Sequence, residues 1–189
     1  MQAARGASLT SDAPPPSGKP RFGLVLGIAV IAWAVDIATK VLAVEHLAPG
    51  ESKDFIGSLL KLHLTRNPGA AFSTGTGMTP FITLFGCTAL VVAVVVARKV
   101  RTPVWAWAFG LLVAGIIGNL TDRMLRDPGP LRGHVVDFLE LPNWPIFNVA
   151  DICINIAAGL IVLQTLRGVP LAGRPPENDD THDPSEAAA

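Results

Sequence analysis

The chain reads as an all-α membrane protein: a four-helix transmembrane bundle with a small extracytoplasmic β-sheet formed by loop strands. Three observations support this. Half of the 189 residues are hydrophobic and only 16% are charged, giving a mean hydropathy of +0.44. The apolar residues fall in four long blocks, each near the ~20 residues needed to cross about 30 Å of hydrocarbon. Between the blocks lie two short stretches with strand character. Zero formal net charge leaves no electrostatic case for nucleic acid as a partner.

The spans are expected at Phe22–Val44, Thr79–Ala97, Val104–Leu120 and Ile146–Leu166. The first follows Arg21 but is longer than the h-region of a signal peptide, and three more spans succeed it, so it is read as retained. Pro103 suits the first turn of the third helix, where its missing N–H costs nothing. Trp105 and Trp107 suit a membrane interface. Residues 1–21 and 167–189 are rich in Ala, Pro, Gly and polar groups and are expected to be disordered tails flanking a membrane domain of residues 22–166.

The basic link Arg98-Lys99-Val100-Arg101 is expected to be cytoplasmic, which places both termini on that side of a bacterial cytoplasmic membrane. The full tally of Lys and Arg is nearly even, so the compact link carries the orientation. In the connections on the opposite face, Leu60–Thr65 alternates apolar and polar residues, and His134–Leu141 is β-branched and aromatic. Both are candidate strands.

Polar residues that apolar helices do not need converge on one face of an up-and-down bundle. Asp36 stands about 12 Å before the end of span 1 at 1.5 Å rise per residue. Asn119, Asp122 and Arg123 end span 3, Asn148 and Asp151 begin span 4, and Asn67 and Asp137 lie in the two loops of the same face. Carboxylates facing hydrocarbon are costly and survive where they meet water, a partner or a substrate. Asp137 and Asp151 are the sharpest case, since two nearby carboxylates can share a proton and activate water. Read alone, they are two interfacial carboxylates, one capping a helix and one solvated. Asp151 lies inside the expected fourth segment, whereas a capping residue belongs at its edge.

Each remaining motif has a plainer reading. Asp36 and Lys40 are spaced i, i+4 and can simply pair. Pro68-Gly69 after Asn67 can be a turn into span 2, or Asn67 can hold a substrate backbone. Asp122 and Arg123 point in different directions and need separate partners, consistent with bracing a site. Cys87 and Cys153 lie in apolar runs and read as small buried hydrophobes. The four histidines are scattered with no HExxH, which argues against a zinc protease.

Taken together, Asp36-x-x-Thr39-Lys40, Arg66-Asn67-Pro68-Gly69-Ala70-Ala71-Phe72-Ser73, Gly118-Asn119-x-x-Asp122-Arg123, His134-Val135-Val136-Asp137-Phe138 and Phe147-Asn148-x-Ala150-Asp151 resemble the lipoprotein signal peptidase (signal peptidase II) family. The five motifs stand in order across residues 22–166. The resemblance implies an aspartic endopeptidase of the membrane that removes signal peptides from prolipoproteins, cutting before a diacylglyceryl-modified cysteine. On that reading Asp137 and Asp151 are the catalytic dyad, and Asp36, Asn67, Asn119, Asp122, Arg123 and Asn148 bind substrate or support the site. No cofactor or metal is implied. The expected partners are diacylglyceryl-modified prolipoproteins and membrane lipids, and the enclosed site is compatible with a monomer. A proton-coupled transporter, which would spread its ionisable groups through the membrane depth, and a docking factor indifferent to Asp137 are the rival classes.

Overall fold

A computed structural model describes residues 18–69 and 78–173. The chain runs α1 (Phe22–His46), β1 (Ser52–Ile56), β2 (Leu60–Asn67), α2 (Thr79–Ala97), α3 (Pro103–Leu125), β3 (Val135–Glu140) and α4 (Val149–Leu166). All four helices are long and apolar enough to cross a membrane. Ala70–Ser73 of the loop motif, and the tail residues 1–17 and 174–189, lie outside the described residues.

The bundle is organised around α3. Half of its span is buried inside the protein, against 17–22% in the other three helices, whose apolar surface faces outward. Small residues make that central position possible. A Cβ on Gly110 would stand 2.7 Å from Ile28 of α1, and one on Gly115 would stand 2.5 Å from the Ala150 carbonyl of α4. Close approach through such residues is how helices gain dispersion contacts where lipid removes the usual hydrophobic drive. Val25, Ala29, Ala93, Ala106, Phe109 and Val113 form the core around this pillar.

The helix ends depart from hydropathy where polar groups find partners inside the protein. α3 continues five residues past the expected Leu120, because Asp122 and Arg123 are buried and bonded. α1 continues to His46, two residues past Val44. α4 begins at Val149 and not Ile146, since Phe147 pairs with Leu139: its N–H donates to Leu139 O at 2.9 Å, and its carbonyl accepts from Leu139 N at 2.8 Å.

Both expected strands form, and pair antiparallel in the order β1-β2-β3. Asp137 stands opposite Thr65, and Val135 opposite Asn67, which brings the two loops of the polar face together. The register slips between Leu62 and Thr65. β1 was not anticipated. Ser52–Ile56 is exposed throughout and lacks alternation, so only its pairing with β2 makes it a strand.

One boundary needs correcting. Residues 167–173, assigned with the C-terminal tail, turn back onto the bundle. Val169 O accepts from Trp105 Nε1 at 3.0 Å, Leu171 O accepts from Arg101 N at 3.0 Å, and both side chains pack against the core. Two apolar side chains among the polar residues gave the segment enough to bury. On the N-terminal side, Arg21 N donates to Val100 O at 2.9 Å, so the basic link is tied to the chain at both tails.

Gly115→Leu should lower the unfolding free energy by about 1–3 kcal/mol, the usual cost of overpacking a close contact. Denaturation in detergent micelles measures it; an unchanged midpoint would mean that α3 and α4 separate without penalty.

Candidate active site

The site lies at the end of the bundle where α1 and α3 finish and α4 begins, and it is assembled from two strands and three helices. Asp137 projects from β3 and is 2% exposed. Asp151 occupies the first turn of α4. Both line a cavity of about 530 Å3 that Arg123, Asn67, Trp144 and Phe147 also border.

Asn148 joins the two carboxylates. As N-cap of α4, its side-chain oxygen accepts from Asp151 N at 3.0 Å, while Asp151 Oδ2 accepts from Asn148 N at 3.1 Å, a complete capping box. The Asn148 amide donates to Asp137 Oδ1 at 2.6 Å and to Asn119 Oδ1 at 3.1 Å. The expectation that Asp151 is too far inside the segment to cap is therefore wrong. The helix starts three residues later than hydropathy implies, which puts Asp151 at the reciprocal position of the box.

The other two carboxylate oxygens are held by amides. Asn67 Nδ2 donates to Asp137 Oδ2 at 2.9 Å, and Asn119 Nδ2 donates to Asp151 Oδ1 at 2.9 Å. Every oxygen of the pair thus meets a fixed N–H donor. Such preorganisation sets the orientation of reacting groups before substrate arrives. Asn67 also accepts from Gly69 N at 2.8 Å, so its main task in this state is to aim Asp137.

A charged cluster braces the pair from within the bundle. Lys40 is fully buried, with Nζ 2.9 Å from Asp36 Oδ2 and 3.0 Å from Asp122 Oδ2. It also donates to Asn119 Oδ1 at 3.3 Å and Gly118 O at 3.4 Å. Asp36 Oδ1 accepts from Ala150 N at 2.8 Å, and Asp122 Oδ2 accepts from Val136 N at 3.1 Å. Each acid therefore grips the backbone beside one member of the pair. Arg126 Nε completes the Asp122 site. Arg123 donates to Pro68 O at 3.4 Å and leans on Gly133 O at 3.5 Å, tying the Asn67 loop to the β3 approach.

All eight residues singled out in the sequence belong to this assembly. Five reach the carboxylate pair directly or are part of it: Asp137, Asp151, Asn148, Asn67 and Asn119; Arg123 stands on the wall of the same cavity. Asp36 and Asp122 act through Lys40 and the backbone. Lys40 itself reads in the sequence as a possible partner of Asp36 and as part of the first motif, but is not among the residues expected to support the site. Its signal was present, since a lysine inside an apolar span demands several acceptors.

Burial pushes the Asp137 carboxyl up to about 6, and the nearby Asp151 charge adds to the rise. Hydrogen bonds from Asn67 and Asn148 and the charge of Lys40 pull in the opposite direction without cancelling it. A carboxyl whose pKa is raised beside a second carboxylate is the arrangement of paired-acid hydrolysis. Among the described residues, no cluster of His, Cys, Asp and Glu suits a metal ion.

Four spans and a preorganised carboxylate pair define a multi-pass membrane protein with a site of the aspartic-peptidase kind. Residues 28–167 match the family model for signal peptidase (SPase) II. A lipoprotein signal peptidase of Leifsonia xyli subsp. xyli is 44% identical over 167 residues, covering 86% of this chain and 77% of the relative. Another, from Mycobacterium avium, is 42% identical over 180 residues, covering 94% and 97%. A solved bacterial membrane enzyme, obtained in meso at 1.9 Å, superposes with a TM-score of 0.69 at 30% identity, covering 77% of this chain and 94% of that one. The chain belongs to the signal peptidase II family and is a membrane hydrolase of that family.

Two outcomes follow. Lys40→Met leaves Asp36 Oδ2 buried without its cation, while Asp122 keeps Arg126 and the Val136 N–H, and should cost about 3–5 kcal/mol of stability, read by denaturation in micelles. A loss below the error of the measurement would deny the cluster its bracing role. The raised Asp137 pKa favours the neutral form in the folded state. Its contribution to stability is full below about 4, the ordinary carboxylate range, and is lost as pH rises through about 6. The loss amounts to about 3 kcal/mol. Asp137→Asn should flatten that segment of the stability–pH curve, and an unaltered slope would assign it to other groups.

Proposed function

We propose that Asp137 and Asp151 are the catalytic dyad of an endopeptidase that removes signal peptides from prolipoproteins, cutting before a diacylglyceryl-modified cysteine. The observation that carries this reading is that both carboxylates border one cavity and are coupled through Asn148.

The roles follow from environment. Asp137, buried and raised towards about 6, keeps the proton; substrate covering the cavity excludes water and pushes the same way. Asp151, more exposed to the cavity, takes a proton from water. The water oxygen bonds to the scissile carbonyl carbon as Asp137 gives its proton to the carbonyl oxygen. Collapse of the tetrahedral species returns that proton to Asp137. The carbon–nitrogen bond breaks as Asp151 delivers its proton to the leaving amine. No covalent enzyme intermediate is required.

A second, largely apolar groove of about 340 Å3 between α2, α3 and α4 is walled by Ile82, Phe85, Leu112 and Ile154, with Asn119 and Arg123 at its edge. It offers the substrate's acyl chains a path between helices while the peptide bond meets the dyad. The basic Arg98–Arg101 link, at the end of the bundle remote from the dyad, supports cytoplasmic termini and an extracytoplasmic site. The dyad and its supports all come from one chain, which supports action as a monomer.

Processing of a diacylglyceryl-modified prolipoprotein by purified protein tests the assignment. Asp137→Asn and Asp151→Asn should each lose at least about 10³-fold in rate, as when a group of a jointly acting catalytic set is removed, with helix content unchanged. The unacylated substrate should be cleaved far more slowly by the wild type. Cleavage surviving in either variant would remove that aspartate from the dyad.

A further inference from the structure

β3 has two faces, and the face turned away from the dyad borders a cavity that catalysis does not use. Asp137 lines the active cavity, whereas Phe138, on the opposite face of the strand, lines an apolar groove of about 470 Å3 between the sheet and α1, with Leu139 at its border. Thr39, Leu42 and His46 form the α1 wall, and Phe55 and Leu62 close it from the β1–β2 hairpin. The two cavities share no residue. The substrate-side groove between α2, α3 and α4, in contrast, shares Arg123 with the active cavity.

The α1 groove opens from surface that lies in lipid. Val35, Leu42 and their neighbour Val41 are 41–55% exposed on a helix that spans the membrane. At 1.5 Å per residue α1 is about 37 Å long, more than the ~30 Å of hydrocarbon. Thr39, about 10 Å before the helix end, therefore sits at acyl-chain depth and His46 near the interface. The hairpin that roofs the groove exposes Phe55, Ile56 and Leu59 by 58–63%. Such an apolar patch on a water-facing strand marks an interaction surface.

We propose that this groove is a binding slot for one acyl chain of a bilayer phospholipid, seated behind the catalytic strand, with the hairpin tip resting in the same lipid. The occupant is a bilayer lipid because the groove is continuous with the lipid-facing side of α1. The substrate's own chains are excluded because β3 stands between the groove and the dyad. Phe138 and Val136 pack with Ala43 and Leu64 on this side, so an acyl chain here supports the strand that carries Asp137.

Native mass spectrometry of protein purified in detergent with dioleoyl-phosphatidylglycerol reads the site without turnover. Wild type should retain one phospholipid per chain. So should Val30→Trp, on an exposed part of α1 away from the groove, and Asp137→Asn, which makes the result independent of the catalytic assignment. Thr39→Phe and Leu42→Trp, which fill the groove, should lower retention at least tenfold. If Thr39→Phe fails to fold, Leu42→Trp carries the test, since Leu42 is 55% exposed. Wild type without bound phospholipid, or equal retention in the filled and control variants, would overturn the proposal. Release of the phospholipid by an added diacylglyceryl-modified peptide would assign the groove to substrate and overturn it as well.

Discussion

The burial of Lys40 constrains the rest of the molecule. A fully enclosed ammonium needs acceptors around it, because an unpaired charge in a low-dielectric interior is too costly to keep. Asp36 supplies one from its own helix, and Asp122 and the Gly118 and Asn119 oxygens supply the others from α3. Those acceptors in turn hold backbone N–H groups of Ala150 and Val136. One charge thus fixes α1 against α3, sets the entry of α4, and anchors the start of β3. The carboxylate pair inherits its position from that cluster.

The same group often serves two ends here. The capping box that starts α4 also orients Asp151, and the Asn148 amide that completes it reaches across to Asp137. Folding and function are therefore coupled at this residue: removing the Asn148 side chain loosens the helix start and takes away one of the two amide donors to Asp137. Gly118 shows a similar economy, since a Cβ there would stand 2.5 Å from Asp36 Oδ2 and displace the acid from its lysine. In α3, small residues are needed as much for polar approach as for helix packing.

The membrane imposes a division between faces. Outward surfaces of α1, α2 and α4 are apolar and exposed, while half of the α3 span is buried among them. Two apolar grooves open from that lipid-facing exterior, one beside the carboxylate pair and one behind β3. The polar site sits between them, shielded on each side by the elements that carry it. Hydrolysis at a membrane surface requires such an enclosure, because water must reach the peptide bond while acyl chains stay in hydrocarbon.

Much of this was legible in the chain. Four apolar blocks determined four helices, because a span must satisfy its backbone internally and needs a fixed length. Polar residues placed against that requirement, Asp36, Asn119, Asp122, Asn148 and Asp151, marked the site, since nothing but a partner or a reaction justifies them there. The alternation in Leu60–Thr65 and the β-branched run at Val135–Val136 marked two strands. Tertiary structure alone decided which atoms meet. β1 became a strand only through β2, α4 began at Val149 only because Phe147 pairs with Leu139, and residues 167–173 became ordered only by packing on Trp105 and Arg101. Likewise Lys40 became the centre of the support because three-dimensional packing brought α3 acceptors to it. Local pattern specifies what a segment must bury; which partner it is buried against depends on distant residues, and no local pattern contains that information.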